Sequence, residues 1–223
     1  MNRSLIIAAH PDDDILGCGG IISKHHKNTN FKVVFIAEGS TCRFDNPSSK
    51  EAKDEIKKRN LMGKNALKFL RVDEYEFYNL PCGRLDQVPQ IEINKIIEKE
   101  IRIFNPDTIF THSTCDSNKD HHKIFDATII AARPGCGVKT ILSYEVLSST
   151  EWGFSKSFLP NVFFPLEKKD IENKCEAFSK YETELKEFPF PRSKLGIKSI
   201  AQFRGMQSGN KYAEAFHLVR QIV

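Results

Sequence analysis

The sequence alternates short apolar runs with longer segments of helical spacing, and this alternation restricts the fold more than any other feature. Five apolar runs are typical of strands, at residues 5–9, 31–37, 74–80, 108–111 and 140–146. Helical spacing occupies segments between them, at residues 20–27, 49–70, 90–104 and 122–132. Strands that alternate with helices form βαβ units, whose helices cover both faces of the sheet. We therefore predict an α/β fold with a Rossmann-like, mostly parallel sheet.

The pattern changes after Pro160. Residues 167–187 have the spacing of one long helix that ends in the proline-rich stretch FPFPRS. Residues 213–223 are interpreted as a final helix, or as a loop with a short regular element. No linker or internal repeat separates these segments from the rest of the chain. We predict one domain over residues 1–223, with the last segments as C-terminal additions to it.

Composition excludes several classes of protein. The net charge of +4 is too small and diffuse for nucleic-acid binding, whereas it fits an anionic small-molecule substrate. No apolar stretch approaches the roughly 18 residues of a membrane span, and the acidic residues 12–14 interrupt the apolar N-terminal run, unlike a signal peptide. The six cysteines include no C-x-x-C pair, which argues against a disulfide framework and a cysteine-rich zinc site. These features predict a cytoplasmic protein.

The first strand leads into AAHPDDDILGCGG, which places one histidine and three consecutive aspartates at the strand's carboxyl end. Ligands of open parallel sheets bind outside the carboxyl ends of the strands. The glycines that follow would let the chain turn and begin a helix, whose N-terminus favours nearby negative charge. A bound cation would stabilise the crowded carboxylates further. His10 and Asp13 are therefore candidate metal ligands.

A second cluster, HSTCDSNKDHHK, follows the fourth strand and also lies at a carboxyl end. It contains the remaining candidates for metal binding and acid–base chemistry, which are His112, Asp116, Asp120, His121 and His122. A catalytic zinc commonly takes three protein ligands and leaves the other positions open for water and substrate. We therefore expect the third ligand to come from this cluster.

Three motifs together resemble the PIG-L/LmbE-like family of metal-dependent de-N-acetylases. These are AHPDD followed by LGCGG, the strand pattern P-D-x-x-x-T-H, and N-x-D-H after that strand. The resemblance extends over most of the chain through GRLDQVP, SSTEWGF, PRS and RGMQSGNKYAEAF, which are similar to a bacterial subgroup associated with sugar modification in surface-glycan pathways. It implies a hydrolase that removes the N-acetyl group from a conjugated amino sugar.

The resemblance also implies roles for particular residues. His10, Asp13 and His121 would hold the metal ion, and Asp12 would act as the general base. Zinc lowers the pKa of bound water and polarises an amide carbonyl, while a neighbouring carboxylate takes the proton. Zn²⁺ is the expected cofactor, but one carboxylate with two imidazoles also suits Fe²⁺, and the sequence does not choose between them. Relatives include trimers and hexamers, which leaves a homo-oligomer open.

Asn118 departs from the family pattern. Many members have a histidine three residues before the metal-binding histidine, where it stabilises the oxyanion. An asparagine amide donates a hydrogen bond to an oxyanion, but it carries no positive charge and shuttles no proton. His112 or His122 is an alternative source of an imidazole, and the sequence leaves the choice open. Asp120 is interpreted as a carboxylate that orients a neighbouring imidazole.

Four further residues are candidates for substrate contact. Arg43, Arg192 and Arg204 suit a phosphate or carboxylate through bidentate contacts, with ordinary ion pairs as the alternative for Arg43 and Arg192. Trp152, the only tryptophan, would stack on a sugar or base unless it belongs to the core.

The expected partner is thus a small-molecule N-acetyl sugar, nucleotide-linked or otherwise conjugated, and the expected activity is N-deacetylation. One alternative is hydrolysis of another small amide, such as a thiol-sugar conjugate. A second alternative is a sugar- or nucleotide-binding protein of the same fold without catalysis, and Asn118 keeps this alternative open.

Overall fold

The computed structural model describes residues 1–223 and contains one seven-stranded sheet with the order β3-β2-β1-β4-β5-β7-β6. The strands are β1 (Arg3–Ala8), β2 (Asn30–Ala37), β3 (Glu74–Leu80), β4 (Thr108–His112), β5 (Thr140–Tyr144), β6 (Val162–Leu166) and β7 (Tyr212–Gln221). The helices are α1 (Asp13–His25), α2 (Lys50–Phe69), α3 (Gln90–Phe104), α4 (Lys119–Ala131), α5 (Lys168–Phe178) and α6 (Lys194–Gln207). Strands β1 to β5 are parallel, and β7 runs antiparallel to both β5 and β6.

Helices cover both faces of the sheet, as the sequence predicted. Along β1, Ile6 and Ala8 face one apolar cluster of 29 buried residues, whereas Leu5 and Ile7 face another of 18. The larger cluster draws on α1, α2, α5 and α6, and the smaller one on α3 and α4. The mostly parallel α/β fold is therefore confirmed. None of the six helices has the length and apolar character needed to cross a membrane.

Helix α1 begins earlier than its spacing predicted, at Asp13 and not at residue 20. The glycines thus lie inside the helix and do not form a turn before it. A Cβ atom at Gly17 would lie 2.4 Å from the Tyr144 ring, and one at Gly20 would lie 2.5 Å from Leu166. The glycines allow α1 to pack closely on the sheet, and two aspartates occupy its first turn, where the helix dipole favours negative charge.

The predictions for the C-terminal third missed strand β6 and were wrong in three further places. The single helix expected over residues 167–187 ends at Phe178, and the chain then turns so that Tyr181 and Glu184 are buried. Helix α6 was not predicted; the Ser193 hydroxyl caps it by accepting a hydrogen bond from the Gly196 N–H at 2.9 Å.

The third error concerns residues 213–223, where β7 replaces the expected helix or loop and joins the central sheet. The buried Glu214 interrupts the apolar pattern that would otherwise indicate a buried strand. Its carboxylate accepts hydrogen bonds from the Gly20 and Ile21 N–H groups and pairs with the Lys174 ammonium at 2.7 Å. These partners come from distant parts of the chain and compensate the charge, so a glutamate is tolerated at an inward-facing position.

Candidate metal centre

Three side chains meet where β1 and β4 end. His10 follows β1, Asp13 begins α1, and His121 lies in the first turn of α4, which follows β4. Asp13 Oδ2 lies 3.3 Å from His10 Nδ1 and 3.3 Å from His121 Nε2. The three side chains are buried, and one ligand atom from each lies within 4.8 Å of the others. The structure thus brings together the three residues that the sequence analysis named as ligands.

The chemistry of this donor set fits a divalent cation. Asp13 Oδ1 is buried and has no hydrogen-bond partner, and an unpartnered buried carboxylate oxygen is costly unless a cation neutralises it. Two imidazole nitrogens and one carboxylate oxygen suit Zn²⁺, and the same set suits Fe²⁺. His10, Asp13 and His121 are therefore the residues that would hold the metal.

The imidazoles of His10 and His121 each contact a second carboxylate in addition to that of Asp13. Asp120 Oδ2 lies 2.9 Å from His10 Nε2, on the side of the ring away from Asp13. Asp116 Oδ2 lies 3.0 Å from His121 Nδ1. Such contacts set the orientation of metal-binding histidines and increase their basicity. The sequence analysis anticipated an orienting position for Asp120 but gave Asp116 no specific role, because the spacing of Asp116 gives no sign of its contact with His121.

The two carboxylates are themselves held in place. Asp120 accepts hydrogen bonds from the Gly83 N–H at 2.6 Å and the Leu85 N–H at 3.1 Å. Asp116 accepts from the Ser149 hydroxyl and from the Thr150 hydroxyl, the latter at 2.9 Å. Loops after β3 and β5 thereby fix the rings that would hold the cation.

The electrostatics of the two imidazoles follow from these neighbours. Burial lowers the pKa of His10, but hydrogen bonds to Asp120 and Asp13 outweigh it and raise the pKa to about 10. Burial also lowers the pKa of His121, and the charges and hydrogen bonds of Asp13 and Asp116 raise it to about 9. Protons and a divalent cation therefore compete for the same nitrogens, and we expect metal affinity to fall as the pH falls.

We expect Asp120→Asn to weaken metal binding about 10- to 100-fold, because the neutral amide no longer increases the basicity of His10. Titration of the loaded protein with a chelator measures this change. Asp126→Asn is the matched control, since Asp126 is exposed on the same helix, α4. Equal chelator sensitivity in Asp120→Asn and the wild type would contradict the role of Asp120.

Of the three candidates for the oxyanion donor, the two histidines each use Nε2 in a contact within the protein, whereas the buried Nδ1 of His112 has no hydrogen-bond partner. His112 Nε2 accepts the Ala9 N–H at 2.8 Å, and burial together with the neighbouring His121 holds the pKa of His112 well below its usual range. His112 is thus a neutral, fully buried ring, stacked on His121 at 3.9 Å between centroids. His122 Nε2 lies 2.6 Å from the carbonyl oxygen of Asp116.

Asn118 is the third candidate, and its side chain caps α4. The side-chain oxygen accepts the Asp120 N–H at 2.9 Å, while its amide nitrogen makes no hydrogen bond within the protein. The residue is half-buried and lies at the N-terminus of α4, three residues before His121. Asn118 therefore retains a donor that is available to a ligand.

Asp12 occupies a constrained position beside the proposed ligands, with a backbone φ of 126°. Its Oδ2 pairs with Arg59 at 2.8 Å and with Arg192 at 2.7 Å, whereas its buried Oδ1 has no hydrogen-bond partner. Burial raises the pKa of Asp12, and the two guanidinium groups oppose that rise. One carboxylate oxygen thus remains able to accept a proton.

Arg59 was missed in the sequence analysis. It lies in α2 within a highly charged stretch, KEAKDEIKKR, that is typical of a solvent-exposed helix, yet only 2% of the residue is exposed. Besides Asp12, the Arg59 guanidinium contacts Glu184 and donates to the Pro11 carbonyl at 2.8 Å. It connects the HPDDD loop to the segment after α5.

Glu184 joins three arginines. It accepts two hydrogen bonds from Arg43, at 2.7 and 2.9 Å, and one from Arg192 at 3.0 Å, in addition to its contact with Arg59. Burial raises the pKa of Glu184, but the arginines hold it well below its usual range. Arg43 and Arg192 therefore lie together, in ion pairs, beside Asp12.

A cavity of about 230 Å³ opens next to these arginines. Its lining residues are Arg43, Ser148, Thr183, Glu184, Lys186, Phe190 and Arg192. Trp152 is 42% exposed and packs edge-to-face on Phe190, with 5.8 Å between ring centroids, so it does not belong to the core. We call the cavity and these two aromatic side chains the arginine-rich subsite.

Arg204 is not part of this subsite. It is buried in a bidentate pair with Glu145, at 2.8 and 2.6 Å, and its guanidinium lies over the rings of Phe158 and Phe203. The structure thus places Arg204 in a structural ion pair and not with Arg43 and Arg192.

Residues 5–132, more than half of the chain, match the PIG-L family, which is described as GlcNAc-PI de-N-acetylase. The chain belongs to this family, which confirms the resemblance inferred from the sequence motifs. A relative from Escherichia coli (strain K12), described as the uncharacterized deacetylase YaiS, is 27% identical over 187 residues, which cover 80% of this chain and 90% of the relative.

Solved structures share the fold. The N,N'-diacetylchitobiose deacetylase from Pyrococcus horikoshii has a TM-score of 0.78 and 19% identity, with 98% of this chain and 84% of that chain covered. The 4-carboxy-2-hydroxymuconate hydratase GalB from Pseudomonas putida KT2440 has a TM-score of 0.75 and 20% identity, with 100% and 98% covered. Since one is a deacetylase and the other a hydratase, the reaction must be inferred from the site.

Proposed function

We propose that this protein is a metal-dependent hydrolase that removes the N-acetyl group from an N-acetylated amino sugar, releasing acetate and a free amine. The observation that carries this proposal is the position of Asp12. A buried carboxylate with one unpartnered oxygen lies beside the three-residue donor set, in a chain of the PIG-L family. This is the arrangement required for a general base next to a Lewis acid.

The reaction follows from the positions of these groups. When bound by His10, Asp13 and His121, Zn²⁺ or Fe²⁺ supplies Lewis acidity and lowers the pKa of water. Asp12 Oδ1 takes a proton from the water whose oxygen attacks the acetamide carbon. The carbon–nitrogen bond then breaks, and the protonated Asp12 returns the proton to the departing amine.

Asn118 and Asp120 have supporting roles in this proposal. The Asn118 amide nitrogen would donate to the oxyanion that forms on the former carbonyl oxygen, since it is a half-buried donor without a hydrogen-bond partner in the protein. Asp120 keeps His10 in the orientation that points its Nδ1 towards Asp13.

The arginine-rich subsite supports an anionic, conjugated substrate. Among the residues that line the cavity, Arg43, Lys186 and Arg192 are basic and Glu184 is the one acid, and the Arg43 side chain is 49% exposed. A phosphate group of a nucleotide-linked or similarly conjugated sugar would complete this charge balance, with Trp152 and Phe190 beside a ring of the substrate. We place this reaction in glycan biosynthesis in the cytoplasm, a compartment in which structural disulfides are rare, and all six cysteines of this chain are free.

The direct test is a screen for acetate release from a panel of N-acetyl sugars, with the protein loaded with Zn²⁺ or Fe²⁺. The panel contains nucleotide-linked, lipid-phosphate-linked, thiol-linked and unconjugated compounds. We expect acetate and free amine in equal amounts, with higher kcat/KM for the phosphate-containing compounds. Binding of a nucleotide sugar without acetate release from any compound would instead support a binding protein.

Arg43→Ala is expected to raise KM for a phosphate-linked substrate about 10- to 100-fold with little change in kcat, since a charge-assisted hydrogen bond contributes about 1.5–3 kcal/mol. Arg133→Ala is the matched control, because Arg133 is an exposed arginine paired with Glu98 far from the subsite. Steady-state kinetics with charged and unconjugated substrates measure the difference. An equal rise in KM for both substrates would argue against phosphate recognition by Arg43.

A further inference from the structure

Two cysteine thiols lie in contact beside the candidate metal centre. Cys42 is in the single helical turn that follows β2, and Cys82 is in the loop that follows β3. Their Sγ atoms are 3.2 Å apart. Cys42 is exposed, whereas only 5% of Cys82 is exposed. A soluble oxidant can therefore reach one thiol, and the second thiol lies directly behind it.

The neighbouring backbone holds the two thiols together. Strands β2 and β3 are parallel neighbours and end at the same edge of the sheet. The Glu38 carboxylate accepts the Cys82 N–H at 2.9 Å and the Thr41 N–H at 2.9 Å, so one side chain anchors both loops. Gly83 adds a close approach, because a Cβ atom there would lie 3.1 Å from the Cys42 Cβ. The proximity of the thiols thus results from several fixed contacts.

The loop that carries Cys82 also supports a proposed metal ligand. Gly83 and Leu85 donate their N–H groups to Asp120, and Asp120 contacts His10. In addition, donor atoms of Cys82, Asp120 and His10 lie within 4.8 Å of one another. A movement of the Cys82–Gly83 backbone would therefore be transmitted to the orientation of His10 through one carboxylate.

From this juxtaposition we propose that Cys42 and Cys82 are an oxidisable dithiol. Their disulfide moves the loop whose N–H groups hold Asp120, and it thereby weakens metal binding by His10. A disulfide brings its two sulfur atoms to about 2.05 Å, so the thiols must approach by about 1 Å from their present contact. The loop around Cys82 is held directly against Asp120, so this approach alters the Gly83 and Leu85 hydrogen bonds. The oxidised protein then binds the metal more weakly than the reduced protein.

The oxidation balances with a small disulfide such as oxidised glutathione. The Cys42 thiolate attacks one glutathione sulfur and releases the first glutathione as its thiolate. The Cys82 thiolate then attacks Cys42 Sγ, breaks the mixed disulfide and releases the second glutathione thiolate. The two cysteines lose two electrons and two protons, and the glutathione disulfide is reduced to two thiols.

The test begins with equilibration of the full-length protein in mixtures of oxidised and reduced glutathione. Peptide mapping of the quenched protein should show a cross-link between the Cys42 and Cys82 peptides, which dithiothreitol reverses. Chelator titration with Zn²⁺ as the probe should show about 10- to 100-fold weaker binding in the oxidised protein, the range for loss of an outer-shell contact. Cys42→Ser should form no cross-link and keep its metal affinity in the oxidising buffer. Cys136→Ser, which removes a distant half-buried thiol, should behave as the wild type.

Two results would overturn the proposal. One is a glutathione adduct on Cys42 without any link to Cys82, which would show that the thiols do not act as a pair. The other is a complete cross-link with unchanged metal affinity, which would show that the disulfide is not coupled to His10. The coupling to metal binding rests on the proposed function, but the cross-link does not. Failure of the reduced protein to bind Zn²⁺ would count against the proposed function. The cross-link would still show whether Cys42 and Cys82 form a disulfide.

Discussion

His121→Ala protein is expected to contain almost no bound metal, whereas the wild type contains about one divalent ion per chain. The substitution removes the donor that α4 contributes and leaves Asp13 with a single imidazole partner in the donor set. His10 and Asp13 lie on one short segment after β1. Without His121, no ligand from α4 would hold the ion on the opposite side of that segment. Elemental analysis after dialysis measures the metal content, and turnover should fall with it.

The matched control is His217→Ala, because His217 is an exposed histidine on β7 whose ring forms a hydrogen bond with the Leu159 carbonyl, far from the metal centre in the sequence. It should retain the metal content of the wild type. Thermal unfolding of His121→Ala protein, followed by circular dichroism, distinguishes a lost ligand from a lost fold. A folded His121→Ala protein with normal metal content would contradict the proposed ligand set.

The second large effect is expected for Asp12→Asn, which should keep the metal and lose about 10²- to 10⁴-fold in kcat. An asparagine side chain fills the same volume and still offers an oxygen to Arg59 and Arg192, but it takes no proton from water. Metal content and kcat must be measured on the same preparation, because the proposal predicts that kcat falls while the metal content stays unchanged.

Asp14→Asn is the matched control for Asp12→Asn. Asp14 is a buried acid in the first turn of α1, two residues after Asp12, and its Oδ1 accepts hydrogen bonds from the Asp12 N–H and the Tyr181 hydroxyl, at 3.3 and 3.4 Å. An asparagine can preserve both contacts, so kcat should stay within a few-fold of the wild type. Unchanged kcat in Asp12→Asn protein would exclude Asp12 as the base, and loss of metal from that variant would instead show a role in binding.

The parallel sheet and the meeting of the two His/Asp clusters could be predicted because both depend on local patterns. Apolar runs separated by helical segments define βαβ units, and these units bring the carboxyl ends of their strands to one edge. His10 and His121 are far apart in sequence but each follows such a strand end. The rule for parallel sheets therefore predicted that the two clusters would meet, and the family resemblance selected His121 as the ligand within the second cluster.

The surroundings of the metal centre could not be predicted in the same way. Arg59 lies on a helix whose sequence is typical of an exposed surface, and Glu184 lies where helical spacing continued past the true end of α5. Asp116 belongs to the right cluster, but nothing in its spacing indicated a contact with His121. Each of these residues acquires its role from a partner on another element.

The difference between the features that could be predicted and those that could not has a physical cause. Hydrophobic periodicity is repeated along every strand and helix, so it survives in the sequence as a statistical pattern and determines the layers and the edge where ligands bind. A buried ion pair depends on two side chains meeting after the chain has folded, and burial is tolerated only because the opposite charge is present there. The sequence therefore carried the site's location and its three proposed ligands. Only the folded chain decided which arginines pair with Asp12, which carboxylates orient the imidazoles and which two thiols lie in contact.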